Sequence, residues 1–310
     1  MTDSTLDTQV HSLRFGIATV QNVSWRNLVE RWRFIEKAGF DSIWVADHFL
    51  HWNRQMMPFF ESWSILSALA CQTSRVRFGA LVTAMHWRHP AWLARQALTV
   101  DHISNGRLEL GLGAGGSSEV EYLMTGVKEW KPSEKVNRFL EYVEIVDQLL
   151  RNPATTYRGK YYQLENAVMQ PDPVQKPRPP ITIGAFGPRM LRIAARYADT
   201  WNTLGNPISS KESMTAVKKR ISLLDKLCRE INRDPQSLRR SFLLYEHEAM
   251  HNISNMRLYE STEVIEGVVK ECLNLGFTEI IFLYPFIEEE VPVFEQIAKE
   301  VIPELREASL

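Results

Sequence analysis

Residues 38–49 read AGFDSIWVADHF, a stretch in which a helix ends at glycine, a short apolar strand follows, and two polar side chains come directly after it. Glycine is favoured where a helix stops, because it readily takes the left-handed conformation. The apolar run is too short for a helix and has no polar face, which is typical of a strand covered on both sides. The stretch therefore predicts one helix–strand step of a parallel sheet, with Asp47 and His48 after the strand.

The same alternation runs along the whole chain of 310 residues. Strands are predicted at 13–19, 41–46, 76–82, 107–113, 181–185, 200–204, 241–246 and 279–284. Helices are predicted at 25–38, 61–72, 91–103, 134–150, 189–198, 214–231, 263–275 and 292–307. Eight such units favour an α/β fold with one closed (β/α)₈ TIM barrel as a single domain over 1–310. The alternative is a doubly wound open sheet, but its usual Gly-x-Gly-x-x-Gly does not follow the first strand.

Two segments do not fit the barrel pattern. Residues 152–180 are rich in proline, which excludes a long helix and favours a hairpin followed by extended chain. We expect this segment to be an insertion after the fourth helix and a candidate lid or active-site wall. Residues 1–12 are polar and acidic, and we expect a flexible leader that is neither a secretory signal nor a transit peptide.

Composition argues against several classes of partner. The 36 basic and 37 acidic residues are interspersed and give a net charge of −1, so nucleic acid is not expected as a partner. No apolar run approaches the roughly 20 residues that a membrane span needs. Three widely spaced cysteines, Cys71, Cys228 and Cys272, are typical of buried, reduced thiols in a cytoplasmic protein.

In a TIM barrel the active site lies at the carboxyl ends of the strands, and chemically useful residues occur there. His48 is the strongest catalytic candidate, because histidine exchanges protons near neutral pH, and Asp47 stands beside it. The alternative is a structural histidine that caps a helix or satisfies a loop. Further along the same loop comes Trp52. After the next two strands come Thr83, Gly113, Gly115 and Glu119.

Glycines at the strand ends predict a place where backbone comes close to a flat ring or a phosphate. Gly113 and Gly115 belong to one such loop. Gly184, Ala185, Phe186 and Gly187 form another, which leads from a strand into a helix whose free amides would bind an anion such as a cofactor phosphate. We expect no metal, since the chain has no carboxylate cluster that would form a site together with its closely spaced histidines. Sequence motifs of a serine nucleophile are absent as well.

Several segments together resemble the luciferase-like monooxygenase superfamily, and within it the branch that depends on coenzyme F420, a deazaflavin. The segments are residues 38–49, 88–91 with 96–97, 101–107, 110–115, 157–162, 187–189 and 198–202. The resemblance implies a TIM barrel with an insertion, a homodimer, and coenzyme F420 or FMN at the mouth of the barrel. It also implies that Asp47 and His48 stand beside the reactive ring, that Trp52 covers the site, and that a cis peptide joins Leu81 to Val82.

The chain departs from the family at Gly116, where many relatives have tryptophan and sugar-phosphate dehydrogenases have a catalytic glutamate. The basic residues that grip a sugar phosphate have no convincing counterpart either. We therefore expect an oxidoreductase that transfers a hydride between coenzyme F420 and a small organic substrate. An FMN-dependent monooxygenase that uses O₂ is the first alternative, and a non-catalytic flavin-binding barrel is the second.

The predicted second and third helices carry many large apolar side chains. These are Trp63, Ile65, Leu66, Trp92 and Leu93. We expect that the barrel does not cover all of them and that they form the interface of a symmetric homodimer.

Overall fold

The computed structural model of the protein describes residues 11–52, 56–116, 119–205, 207–208 and 211–307. Residues 1–10 of the expected leader lie outside the described residues. The strands are β1 (Arg14–Thr19), β2 (Ser42–Val45), β3 (Arg77–Ala80), β4 (Thr83–Ala84), β5 (Leu110–Gly113), β6 (Ala154–Arg158), β7 (Gln163–Val168), β8 (Ile181–Gly184), β9 (Thr200–Gly205), β10 (Arg239–Leu244) and β11 (Glu279–Leu283).

Nine of these strands form one parallel sheet in the order β3-β2-β1-β11-β10-β9-β8-β5-β4. Strands β3 and β4 are two pieces of the third predicted strand, interrupted at residues 81–82. Because β4 pairs with β5, and Phe78 of β3 forms an isolated parallel bridge with Leu108, the two ends of the sheet meet. The sheet is therefore an eight-stranded barrel, and the predicted TIM-barrel fold is confirmed.

Helices follow the barrel strands and cover the outside of the sheet. They are α1 (Trp25–Lys37), α2 (Ser62–Gln72), α3 (Pro90–Ile103), α4 (Glu119–Thr125), α5 (Pro132–Arg151), α6 (Pro188–Tyr197), α7 (Lys211–Glu230), α8 (His247–Asn252), α9 (Thr262–Asn274), α10 (Val291–Gln296) and α11 (Ile302–Glu307). A π-helical turn, Ile297–Val301, joins the last two. Helices α4 and α8 are one to two turns long, lie in the loops after β5 and β10, and were not predicted.

The glycines that were expected to stop helices do so. Gly39 follows α1 with φ +91°, and Gly276 follows α9 with φ +80°, so both use the left-handed region that other residues rarely adopt. Ser24 begins α1 by accepting a hydrogen bond from the amide of Asn27. These local signals fix where each strand of the barrel begins relative to its helix.

The proline-rich segment contains an antiparallel hairpin of β6 and β7 that is separate from the barrel sheet. The hairpin is held to α5, since Tyr157 donates a hydrogen bond to Glu144 and three consecutive amides of its turn region bond to the carboxylate of Glu141. Arg95 of α3 binds the carbonyls of Val168 and Gln170. The insertion is therefore docked on the outside of α3 and α5.

The amino-terminal end of the barrel is filled by charged side chains. Arg14 lies 2.8 Å from Glu109 and 3.2 Å from Glu279, while Arg77 lies 2.6 Å from Glu109. Both glutamates are completely or almost completely buried. Burial alone would raise the pKa of Glu109, but the charges of Arg14 and Arg77 outweigh it and lower that pKa. For Glu279 burial dominates, and its pKa is raised.

Two expectations about burial need correction. Trp63, Ile65, Leu66 and Leu93 are buried inside the chain, because α2 and α3 pack them against the barrel, and only Trp92 of that set is exposed. Cys71 is exposed rather than buried, whereas Cys228 and Cys272 are buried, and all three are free thiols. None of the helices in the described part of the chain has both the length and the apolar character that crossing a bilayer requires.

Candidate active site

A cavity of about 400 Å³ opens at the carboxyl ends of the barrel strands. Its wall is made of glycine, aliphatic side chains and a few polar groups. The lining residues are Asp47, His48, Leu81, Val82, Ala84, Gly113, Ala114, Gly115, Gly116, Gly184, Phe186, Gly187, Met190, Asn202, Leu204 and Leu243. Nine of the sequence-predicted site residues are among them: Asp47, His48, Leu81, Val82, Gly113, Gly115, Gly184, Phe186 and Gly187.

The predicted cis peptide between Leu81 and Val82 is present, and it separates β3 from β4. The side chain of Val82 then lies against the glycines of the neighbouring strands. A Cβ atom at Gly113 would stand 2.3 Å from Cγ2 of Val82, and one at Gly184 would stand 3.4 Å from Cγ1. Glycine at position 113 is therefore required by close packing of this wall.

Gly115 has a different reason to be glycine. Its φ is +87°, and an added Cβ would lie 2.2 Å from Nδ1 of His86. The ring of His86 packs against Trp87 and Tyr122 with centroid distances of 4.1 and 5.0 Å. Burial, assisted by the charge of Lys135, lowers the pKa of His86 to about 4, so this ring is neutral at neutral pH and supports the loop behind the cavity.

His48 contacts a carboxylate that lies far away in the sequence. Its Nδ1 atom is 3.2 and 3.3 Å from the two carboxylate oxygens of Glu121 in α4. The amide of Phe49 donates to the same carboxylate at 2.9 Å. Glu121 is almost fully buried, whereas 30% of the His48 side chain remains exposed, and His48 is one of the residues that line the cavity. The Nδ1 side of the His48 ring is therefore fixed by Glu121, while the residue lines the cavity.

Asp47, the sequence neighbour of His48, is engaged elsewhere. Arg88 binds it with two guanidinium nitrogens at 2.6 and 3.0 Å, the amide of Ala84 donates to it at 2.8 Å, and Ser62 donates to it as well. Arg88 also contacts Glu61. This network ties the loop after β2 to β4 and α2, so Asp47 holds the cavity wall in place.

The loop between β8 and α6 forms another side of the cavity. Gly187 is the N-cap of α6 and supplies no side-chain hydrogen bond, and Pro188 is the first helical residue. A Cβ atom at Gly187 would meet nothing within 4 Å. Next to this loop, the guanidinium of Arg220 lies 5.0 Å from the centre of the Phe186 ring and donates to the hydroxyl of Thr203. The amino-terminal end of α6 and the guanidinium of Arg220 thus lie on the same side of the cavity.

Four other sequence-predicted residues are not among those that line the cavity. Thr83 is buried and accepts a hydrogen bond from Trp63, and Ala185 is buried with its carbonyl bonded to Trp201. Glu119 is exposed at the start of α4. Trp52 donates from Nε1 to the carbonyl of Met250 in α8, and its ring centre lies 6.0 Å from that of His48.

Sequence reasoning missed Glu121, Arg88 and Arg220. Glu121 lies two residues after the predicted Glu119, and a glutamate that follows a glycine loop was a usable signal. Its side-chain direction depends on α4, which was not predicted. Among the residues that the structure describes, no group of three or more His, Cys, Asp or Glu side chains is arranged to hold a metal ion.

The chain is similar to known proteins of one family. The sequence model of the family described as luciferase-like monooxygenase matches residues 9–245. The F420-dependent glucose-6-phosphate dehydrogenase of Amycolatopsis mediterranei (strain U-32) is 30% identical over 223 residues, which cover 70% of this chain and 65% of that protein. The oxygenase component of the flavin-dependent trigonelline monooxygenase of Acinetobacter baylyi is 28% identical over 190 residues, 60% of this chain and 50% of that protein.

The chain thus spans less than two thirds of the length of these curated relatives. Among solved structures, an F420-dependent secondary alcohol dehydrogenase in complex with an F420-acetone adduct superposes with a TM-score of 0.76. That match has 19% sequence identity and covers 93% of this chain and 98% of the other. At this identity the likeness concerns the fold.

Proposed function

Because this chain belongs to the luciferase-like monooxygenase family, we propose that it is an oxidoreductase whose cofactor, coenzyme F420 or FMN, binds in the cavity at the carboxyl ends of the strands. The preferred reaction is hydride transfer between coenzyme F420 and a small organic substrate. The observation that carries the proposal is His48, a proton-exchanging side chain held in the wall of a cavity that glycines keep open.

The residues of the cavity suit a flat ring with a charged tail. Gly187 leaves open space where a side chain would otherwise project, Gly113 and Gly184 let the neighbouring strands pack closely on Val82, and Leu81 and Val82 supply an apolar surface. The free start of α6 after Gly187 would bind an anion through its amides. These features support binding, at this site, of a cofactor that has both an aromatic ring and a phosphate.

When bound, a deazaflavin ring accepts or donates a hydride, which leaves one proton to be released or taken up at the substrate. In this proposal His48 moves that proton, because a neutral imidazole is an effective base near pH 7. General base catalysis of this kind typically raises the rate by about 10²–10⁴-fold. Asp47 and Arg88 keep the loop that bears His48 in position. Trp52, fixed to Met250, covers the same loop on the side of α8.

The lining also points to a class of substrate. No lysine or arginine occurs among the described residues that line the cavity, and Gly116 leaves open space at its edge. The described lining therefore offers no cation to a phosphorylated sugar, and Arg220, which lies against Phe186, is not part of that lining. We therefore propose an uncharged small organic substrate.

An FMN-dependent monooxygenase is the second candidate. The description of the matching family and the trigonelline monooxygenase relative favour it. Titration of the purified protein with coenzyme F420 and with FMN, followed by flavin or deazaflavin fluorescence, separates the candidates. We expect tighter binding of coenzyme F420. Tighter binding of FMN, with O₂ consumption by the reduced complex, would establish the second candidate, and binding without any turnover would indicate a non-catalytic barrel.

We further propose a symmetric homodimer in the cytoplasm. Trp92 remains exposed on α3, beside the docked hairpin, and is available for an interface. Three free cysteines are typical of a reducing compartment. Light scattering at micromolar concentration is expected to give twice the 35.8 kDa mass of one chain, and a monomer mass would contradict the dimer.

A further inference from the structure

Two carboxylates, Asp47 and Glu121, lie close to the loop that bears the catalytic candidate His48, and they have different hydrogen-bond partners. Asp47 accepts hydrogen bonds from Arg88, Ala84 and Ser62. Because these donors occupy both of its oxygens, Asp47 is committed to the wall of the cavity. A partner for the imidazole must come from elsewhere.

Glu121 provides that partner. Its carboxylate is almost fully buried and faces Nδ1 of His48 and the amide of Phe49. An ionised carboxylate only accepts hydrogen bonds, as Glu121 does from the amide of Phe49, so with Glu121 ionised the imidazole nitrogen next to it carries the proton. The nitrogen that remains, Nε2, is then the unprotonated one in the neutral ring. A carboxylate that fixes the tautomer of a histidine in this way also stabilises the imidazolium after proton uptake.

We propose that Glu121 is a positioning residue, which holds His48 with the proton on Nδ1 and leaves Nε2 as the proton acceptor of the site. This inference rests on the proposed function of His48. For an alcohol substrate in the oxidation direction, the hydride of the C–H bond would pass to bound coenzyme F420, and the electrons of the O–H bond would form the C=O bond. The O–H proton would form the Nε2–H bond of His48, and Glu121 would balance the positive charge on the ring. In the reduction direction the same proton returns to the substrate oxygen.

The tautomer is directly measurable without any cofactor. In ¹⁵N–¹H spectra of protein labelled at histidine, the ring nitrogens report which of them carries the proton. The spectrum is recorded at about pH 9, well above the ordinary histidine pKa near 6.5, and the His48 signals are identified by their loss in His48→Gln. We expect the Nδ1–H form in the parent, although a free imidazole prefers Nε2–H.

Two variants of Glu121 sharpen the test. Glu121→Leu removes the acceptor, so the Nε2–H form is expected and turnover is expected to fall by 10²-fold or more, on the order found for a wrong tautomer. In Glu121→Gln the amide of Phe49 requires an oxygen acceptor, which fixes the oxygen where Oε1 was, 3.2 Å from Nδ1. This variant is expected to keep the Nδ1–H form and most of the turnover.

Glu290 offers a matched control, because it is an equally buried glutamate that accepts hydrogen bonds from the amides of Met256 and Phe286. Glu290→Leu leaves two backbone donors without a partner and is expected to cost stability, but to leave the His48 tautomer unchanged.

An Nε2–H signal in the parent, or an Nδ1–H signal that persists in Glu121→Leu, would overturn the inference. If Glu121→Leu does not fold, the parent spectrum and Glu121→Gln still decide it, because both are expected to show the Nδ1–H form. Failure of the proposed function looks different, since the parent would then bind neither coenzyme F420 nor FMN while the tautomer result stands on its own.

Discussion

The two ends of the barrel differ in composition: charged side chains fill the amino end, whereas glycines and aliphatic side chains surround a cavity at the carboxyl end. At the amino end, Arg14 lies close to both Glu109 and Glu279, so that buried charges of opposite sign are paired within the chain. At the carboxyl end, glycines and aliphatic side chains leave a cavity of about 400 Å³, with His48 at its wall. The division matches the general behaviour of TIM barrels, in which one end serves stability and the other serves chemistry. Changes at the two ends should therefore be distinguishable by what they damage.

The largest expected effect is at the amino end. Arg14→Met leaves Glu109 and Glu279 buried without one of their cations, and we expect a loss of about 3–5 kcal/mol in the free energy of unfolding. Urea unfolding measures it. Arg158→Met is the control, because Arg158 forms a largely exposed pair with Glu165 whose loss should cost less than about 1 kcal/mol.

This prediction also tests the separation of the two ends. Folded Arg14→Met should bind the cofactor as the parent does, because Arg14 is not among the residues that line the cavity. Equal stability losses in the two arginine variants would show that the amino-end cluster contributes no more than a surface ion pair.

A smaller effect is expected from pH at the carboxyl end. The pKa of His86 is lowered to about 4 in the folded chain, chiefly by burial, whereas an unfolded histidine titrates near 6.5. Between these values the unfolded state binds a proton that the folded state does not. Stability should therefore fall as pH drops from about 6.5 to 4, by about 1–3 kcal/mol from this residue.

Unfolding in urea at neutral and at acidic pH, for the parent and for His86→Gln, isolates this contribution. The variant has no titrating group at this position and should lose less stability on acidification than the parent. If both proteins lose the same amount, His86 is not the buried neutral ring that the loop after β4 requires.

The smallest of these effects concerns the cavity itself. Leucine at Gly187 would project into open space, so folding should change little while cofactor affinity should fall about tenfold, equivalent to about 1.4 kcal/mol. Isothermal titration gives the affinity. Gly267→Leu, at an exposed helical glycine whose added Cβ also meets nothing, should bind the cofactor like the parent. An unaltered affinity in Gly187→Leu would place the cofactor elsewhere.

The fold was largely predictable because its signals are local. Each barrel strand is a short apolar run bounded by turn residues, and predicted and observed bounds differ by at most three residues. Gly39 and Gly276 mark helix ends by a conformation that glycine alone adopts easily. Helices α4 and α8 escaped prediction, since elements of one or two turns leave almost no periodic pattern.

The site was predictable only in part, because its partners are distant in the chain. The strand-end position identified His48, but its carboxylate partner, Glu121, lies 73 residues away. Proximity in sequence favoured Asp47 instead, whose oxygens are occupied by Arg88 and Ala84. Likewise the apolar character of Trp63 and Leu93 did not reveal that the chain itself buries them.

The central claim is that the carboxyl-end cavity binds the cofactor and that His48 performs chemistry there. His48→Ala tests it most directly, with cofactor affinity and turnover measured on the same preparation. We predict that the dissociation constant for coenzyme F420 stays within a few-fold of the parent value, while turnover falls by 10²–10⁴-fold, on the order expected for a general base. A variant that binds and turns over like the parent would show that His48 is structural and would contradict the account.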